Sequence, residues 1–137
     1  MIRRETMIAV AELDRIARAR LDDAKALLAA DRLDAALYIC GYAVEVGLKA
    51  RICRVLSWAG FPSTSTEFQS YRSFQVHELD VLLRLSGQEE RVKTAHVAQW
   101  SIAAEWRSES RYNTVGTTDR LEVIVMIRAV EALLEIL

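Results

Sequence analysis

Apolar residues dominate the middle of the chain so completely that they predict a central helix. Between Ala35 and Leu48 the only formally charged side chain is Glu45. A helix from Leu33 to Trp58 gathers the polar side chains of this stretch into one seam and leaves the rest as packing surface. The seam consists of Asp34, Tyr38, Tyr42, Glu45 and Lys49.

Four further stretches with helical spacing of apolar residues flank the central helix. The predicted ranges are 6–30, 77–87, 86–106 and 119–137. Thr6 is expected to cap the first, and the pairs Ser86/Glu89 and Asp119/Glu122 resemble capping boxes of later ones. The short connection at residues 30–33 predicts an antiparallel hairpin with the central helix. The pattern therefore indicates an all-α fold.

A polar loop follows the central helix, which Gly60, Phe61 and Pro62 are expected to end. The loop carries several aromatic residues as far as Phe74, too many for a purely solvated tether. We expect part of it to dock on the helices, with stacking of exposed aromatic rings on nucleic-acid bases as the alternative.

Length and composition suit a single domain over residues 1–137, since 52% of the 137 residues are hydrophobic and only 5 are Gly and 1 is Pro. A net charge of -1 gives no global attraction to nucleic acid or to an anionic membrane. The chain shows no membrane span and no signal-peptide core, so we expect a soluble cytoplasmic protein. Cys40 and Cys53 are expected to act as buried small hydrophobic residues, because they lie too far apart on one helix to pair.

Glu45 needs a partner or an opening to water, because an isolated carboxylate in apolar surroundings is strongly destabilising. Lys49 follows at the spacing that favours a helical ion pair. A purely structural pair is one interpretation. The other makes Glu45 the floor of a functional pocket.

The chain contains none of the common nucleotide-binding, zinc-protease or serine-hydrolase motifs, and it has only 2 histidines. We expect neither a metal ion nor a cofactor. A turn rich in arginine remains, with Arg107, Arg111 and Arg120 close to Tyr112 and Asn113.

Three segments in a fixed order resemble the HEPN domain family, and most closely its small bacterial stand-alone members. They are AVEVGLKARIC at 43–53, FQVHELDVLLRLSG at 74–87 and WRSESRY at 106–112. The resemblance implies an antiparallel up-and-down bundle of four or five helices that dimerises through its late helices. It also implies binding of RNA or nucleotides, and a partner of the minimal nucleotidyltransferase type in a toxin–antitoxin or defence setting.

Catalytic members of that family are metal-independent ribonucleases with an arginine followed, after four to six residues, by a histidine. Here Tyr112 stands where that histidine is expected after Arg107, and no histidine follows His96. A phenol with a pKa near 10 is a poor base at neutral pH, whereas arginines still bind phosphate. A tyrosine in place of the family's histidine therefore favours ligand binding over RNA cleavage.

We therefore expect a pocket where the polar seam meets the arginine turn, with a phosphate-bearing ligand as its occupant. The predicted ligand-binding residues are Tyr38, Tyr42, Glu45, Lys49, Arg111 and Asn113. In the enzymatic alternative, Arg107 stabilises the scissile phosphate while Tyr112 or His77 transfers protons. Two further hypotheses stay open. Arg107 and Arg111 pair structurally with Glu45, Glu105 or Glu109, or the protein is an interaction module that uses its aromatic loop and last helix.

Overall fold

Helices make up most of the computed structural model, which describes residues 7–69 and 71–137. The prediction of a mainly helical fold is confirmed. In chain order the helices of the described residues are α1 (Val10–Ala29), α2 (Leu33–Leu56), α3 (Ser65–Phe68), α4 (Leu79–Leu85), α5 (Glu89–Ala95), α6 (Val97–Ala103) and α7 (Arg120–Ile136).

α2 is the central helix, and α1, α4 and α7 all pack on it. Asp14 near the start of α1 forms an ion pair with Arg54 near the end of α2, so these two helices run antiparallel as predicted. α7 lies against the face of α2 that carries Gly47. A Cβ atom at Gly47 would come within 2.7 Å of the side chain of Leu134, which shows how closely the two helices approach.

Two short strands, which the sequence did not predict, join the ends of the α1–α2 hairpin. β1 (Ile8–Ala9) pairs antiparallel with β2 (Gly60–Phe61), and Ile8 lies opposite Phe61. Strands of two residues are too short to show an alternating pattern. The pair holds the start of the aromatic loop against the helices, and Phe61 is 1% exposed. The expected docking of the loop is confirmed.

The predicted helix over residues 86–106 is wrong in two respects. α5 and α6 are separate helices that meet at His96, which has non-helical backbone angles. The expected capping box of Ser86 and Glu89 is also not formed, because Gln88 is the N-cap of α5. The Ser86 hydroxyl instead donates to the carbonyl of Leu83. By contrast, the predicted capping box of Asp119 and Glu122 is present at the start of α7.

The predicted start of the first helix at Thr6 lies outside the described residues, and α1 has Ala9 as its N-cap. None of the described helices combines the length and apolar character that crossing a bilayer requires.

Candidate functional site

A buried carboxylate with two basic neighbours lies halfway along α2. Glu45 is 2% exposed. Its Oε2 atom accepts a hydrogen bond from Lys49 Nζ at 2.9 Å and lies 3.2 Å from Nδ1 of His77. The predicted ion pair with Lys49 is confirmed, and the imidazole is a second partner that helical spacing could not reveal.

His77 reaches Glu45 because the loop after α2 folds back and delivers it just before α4. Its imidazole stays 61% exposed, although the carboxylate it faces is buried. When Nδ1–H donates to Glu45, the hydrogen bond fixes the ring and leaves Nε2 as a proton acceptor. A buried carboxylate thus orients an accessible imidazole.

A cavity of about 280 Å³, called the His77 cavity, opens beside this pair. Tyr42, Lys49, Gln75 and His77 supply polar groups to its wall, and the buried ring of Phe61 supplies apolar surface. Lys49 Nζ lies 5.4 Å from the centre of that ring. Burial, followed by the nearby charge of Glu45, raises the pKa of Tyr42, so its hydroxyl is a hydrogen-bond donor at neutral pH.

The arginine turn, residues 107–113, is held on α2 by the tryptophan that precedes it. Trp106 is 6% exposed, and its Nε1–H donates to the carbonyl of Tyr38 at 3.1 Å. Its ring lies over Gly41, where an added Cβ atom would stand 2.1 Å from the ring. The absence of a side chain at Gly41 therefore allows the turn to dock.

The two arginines of this turn bond to main-chain carbonyls rather than to carboxylates. Arg107 Nη1 donates to Ala104 and Trp106 at 2.9 and 3.2 Å, and Arg111 Nη1 donates to Ser108 at 3.2 Å. No carboxylate of the described residues lies within ion-pair distance of either guanidinium. The hypothesis of structural pairs with Glu45, Glu105 or Glu109 is therefore wrong.

The guanidinium of Arg111 contacts two tyrosines, Tyr112 and Tyr38. It stacks on the ring of Tyr112, with 4.9 Å between Cζ and the ring centre. Hydrogen bonding to Tyr112 and then to Tyr38 raises the pKa of Arg111, which keeps its positive charge. With Asn113, Tyr38 and Arg111 line a second cavity of about 270 Å³, called the Arg111 cavity.

The predicted site residues therefore fall into two groups instead of one pocket. Tyr42, Lys49 and His77 surround the first cavity, and Glu45 lies buried beside it. Tyr38, Arg111 and Asn113 surround the second. Arg107 and Tyr112 line neither cavity, and Tyr112 is 78% exposed.

Asp34 also lines the Arg111 cavity and ties the segment between the arginine turn and α7 to the start of α2. Its carboxylate accepts backbone N–H groups of Gly116 at 2.7 Å and Thr118 at 3.2 Å. These bonds, the one from Gly116 foremost, lower the pKa of Asp34. Helical spacing places Asp34 in the polar seam but carries no signal for partners that lie more than eighty residues away in the chain.

Comparison of the chain with protein-family models, with curated proteins and with solved structures finds no match. Among residues 7–69 and 71–137, no group of three or more His, Cys, Asp or Glu side chains is arranged to hold a metal ion.

Proposed function

We propose that the chain is a HEPN-like protein that binds RNA, a nucleotide or another phosphate-bearing ligand at its arginine turn. The observation that supports this most is the charge of Arg107 and Arg111, which no described carboxylate neutralises. Each guanidinium uses one terminal nitrogen for main-chain carbonyls. Arg111 also hydrogen-bonds to the hydroxyls of Tyr112 and Tyr38. The N–H groups that are left on the two guanidinium groups can bind phosphate oxygens.

The surroundings of Arg111 suit a nucleotide better than a bare phosphate. Tyr112 presents an exposed ring on which a base can stack, and Asn113 offers an amide that can both donate and accept. Trp106 fixes the turn on α2, so little order has to be gained on binding.

The resemblance to HEPN proteins extends this proposal to the cellular setting. On that basis the protein acts in the cytoplasm as a homodimer, in a toxin–antitoxin or defence context with a partner of the minimal nucleotidyltransferase type. The proposed cellular role is supported by the three sequence segments that carry the resemblance and by the helical fold.

Binding of a fluorescein-labelled single-stranded RNA, followed by fluorescence anisotropy, tests the proposal. Arg111→Ala is expected to weaken binding by about tenfold or more, since hydrogen bonds to charged groups contribute about 1.5–3 kcal/mol. Labelled ATP and inorganic phosphate as competitor distinguish an RNA site from a mononucleotide or phosphate site.

Arg15→Ala is the matched control, because it removes the same charge from an arginine on α1 that is 77% exposed. It should leave affinity nearly unchanged, and the melting temperatures of both variants should stay close to that of the unchanged protein. Equal affinity of the Arg111 variant and the unchanged protein would reject the proposed site.

A second candidate function, metal-independent RNA cleavage, is favoured by the contact between Glu45 and His77. His77 Nε2 would accept the proton of a ribose 2′-hydroxyl while its oxygen attacks the adjacent phosphorus. The bond to the 5′-oxygen then breaks, that oxygen takes a proton from water, and the hydroxide left behind takes the proton from His77. A 2′,3′-cyclic phosphate remains. Lys49 is close enough to His77 to favour the negative charge that develops on the phosphate.

Incubation of the protein with structured RNA in EDTA tests this candidate. Cleavage is expected to disappear in His77→Ala and to persist in Tyr112→Phe, because the tyrosine lies outside the His77 cavity. Loss of cleavage in Tyr112→Phe alone would move the proton transfer to the arginine turn. No cleavage at any protein concentration would leave binding as the function.

A further inference from the structure

A groove between α6 and α7 borders the Arg111 cavity, with which it shares Leu37, Ser110 and Asn113. The charged residues and exposed apolar residues that line the rest of the groove are used by neither function proposed above. The groove has a volume of about 640 Å³ and is called the α6–α7 groove. Its apolar lining consists of Leu37, Ile102, Trp106, Leu121, Val125 and Met126. Leu121 is 64% exposed and Val125 is 37% exposed, so a row of apolar side chains one turn apart on α7 faces solvent.

The charged groups of this groove all have one sign. Glu105, Asp119 and Glu122 line it, and no lysine, arginine or histidine of the described chain does so. Arg120, although adjacent in sequence, is directed to the other side, where it pairs with Asp31 at 3.2 Å. Glu105 has no described cation within ion-pair distance, so the rim of the groove carries net negative charge.

The α7 capping box holds two of these carboxylates in place. Asp119 accepts the N–H of Leu121 at 3.0 Å, and Glu122 accepts the N–H of Asp119 at 3.4 Å. The positive end of the helix dipole attracts both carboxylates. The negative rim is therefore a fixed feature of the groove.

We propose that the α6–α7 groove is a docking site for an amphipathic helical segment of another protein, apolar on one side and flanked by lysine or arginine. Its apolar side chains cover Leu121 and Val125, and its cations meet Glu105 and the two capping carboxylates. This pairing combines helix-in-groove packing with complementary charge.

Charge distinguishes this occupant from a second copy of the chain. In a symmetric dimer the same surface meets itself, so Glu105, Asp119 and Glu122 of both copies would face one another. Opposed like charges disfavour that arrangement. A basic segment covers the same apolar surface, and its cations attract the carboxylates of the groove instead of repelling them.

Three model peptides of about fourteen residues test the proposal. The first places leucines on one helical face and lysines on the other, the second replaces every lysine by glutamate, and the third scrambles the first. NMR titration of the ¹⁵N-labelled protein with the first peptide should shift the amide signals of Ile102, Leu121 and Val125. Neither of the other two peptides should shift them, and added salt should weaken the binding of the first.

Two variants separate the apolar contribution from the charge contribution to peptide binding. Leu121→Ser is expected to weaken binding of the basic peptide by about tenfold, and Glu105→Gln by about threefold at low salt. The matched controls are Leu56→Ser, which changes a leucine that is 40% exposed on α2, and Glu109→Gln, which lies outside the groove. Both should leave affinity unchanged, and RNA binding should not depend on either groove residue.

Any one of four results would overturn the proposal. The acidic or scrambled peptide binds as well as the basic one, or Leu121→Ser leaves affinity unchanged, or the shifts map elsewhere on the protein. A concentration-dependent doubling of mass that Leu121→Ser abolishes would assign the groove to a second copy instead.

Discussion

Glu45 has three properties that depend on one another: burial, an ion pair and a bond to an imidazole. The carboxylate lies among apolar side chains, so its charge is tolerated only because Lys49 and His77 face it. The residue that orients His77 is thus also one on which the stability of α2 depends.

Replacement of Glu45 by glutamine is expected to lower the free energy of unfolding by about 2–4 kcal/mol, because Lys49 is left without its counter-charge. Lys49 is only 17% exposed, so water replaces the carboxylate poorly. Urea denaturation followed by circular dichroism measures the change.

Glu12→Gln is the control, since Glu12 is 52% exposed and pairs with Arg15 on the surface of α1. It should change the free energy of unfolding by less than about 1 kcal/mol. Equal effects of the two substitutions would show that burial does not determine the contribution of Glu45.

The two cysteines illustrate burial without a partner. Burial raises the pKa of Cys40 to about 12 and that of Cys53 to about 11. Native protein at pH 8 should therefore not react with a thiol reagent such as DTNB, and unfolded protein should react at both thiols.

The same shifts predict the direction of the alkaline pH dependence. The unfolded chain loses its thiol protons from about pH 8.5, whereas the folded chain keeps them longer, so the free energy of unfolding falls above that pH. Below about pH 8.5 the thiols are neutral in both states, so they do not make the free energy of unfolding depend on pH. Fast labelling of native protein, or stability that rises above pH 9, would contradict the buried positions of both thiols.

At the scale of single residues, the sequence predicted contacts within one helix and missed those between distant segments. The Glu45–Lys49 pair follows from a spacing of four residues. His77 lies 32 residues after Glu45, in the loop before α4, so no helical spacing related it to Glu45. For the same reason, the spacing predicts the place of Asp34 in the seam but not its partners in the segment before α7.

Among the structural elements, the arginine turn depends most on a single contact. Trp106 occupies the space that a side chain at residue 41 would fill. Tyr38 contributes its carbonyl and a ring 5.7 Å from the tryptophan. This contact determines where the arginine turn, with Arg107 and Arg111, docks against α2.

Gly41→Ala is expected to displace Trp106 and to destabilise the protein by about 1–3 kcal/mol, as overpacking does. Trp106 fluorescence should shift to the red, with Trp58→Phe and Trp100→Phe in the background so that one tryptophan reports. Gly47→Ala is the comparison, because its added Cβ atom meets the flexible end of Leu134 at 2.7 Å. An unchanged emission maximum in the Gly41 variant would contradict the proposed anchor.

Element ends were predictable where local chemistry determines them and not elsewhere. Asp119 and Glu122 form the capping box that their spacing indicates. Ser86 bonds back to its own helix instead, and the break at His96 has no Gly or Pro to announce it. The paired strands are held by contacts between Ile8 and Phe61, which only the tertiary fold brings together.

In the whole molecule, the polar seam of α2 serves two sites that lie side by side. The Arg111 cavity is at the Tyr38 level and the His77 cavity at the Tyr42 level, one helical turn further. The sequence predicted the seam together with a single pocket. The structure has two cavities instead, because the arginine turn and the loop bearing His77 dock at different positions along α2. Lys49, Arg107 and Arg111 bring positive charges together near the seam, which the net charge of -1 for the whole chain does not indicate.

The salt dependence of RNA binding tests the central proposal most directly, because it counts the phosphate contacts that the protein makes. The logarithm of the association constant is expected to fall linearly with the logarithm of salt concentration, and Arg111→Ala should reduce the slope by about 0.7, the value for one contact to single-stranded nucleic acid. Arg15→Ala should leave the slope unchanged. Identical slopes for the Arg111 variant and the unchanged protein would contradict a phosphate contact at the arginine turn.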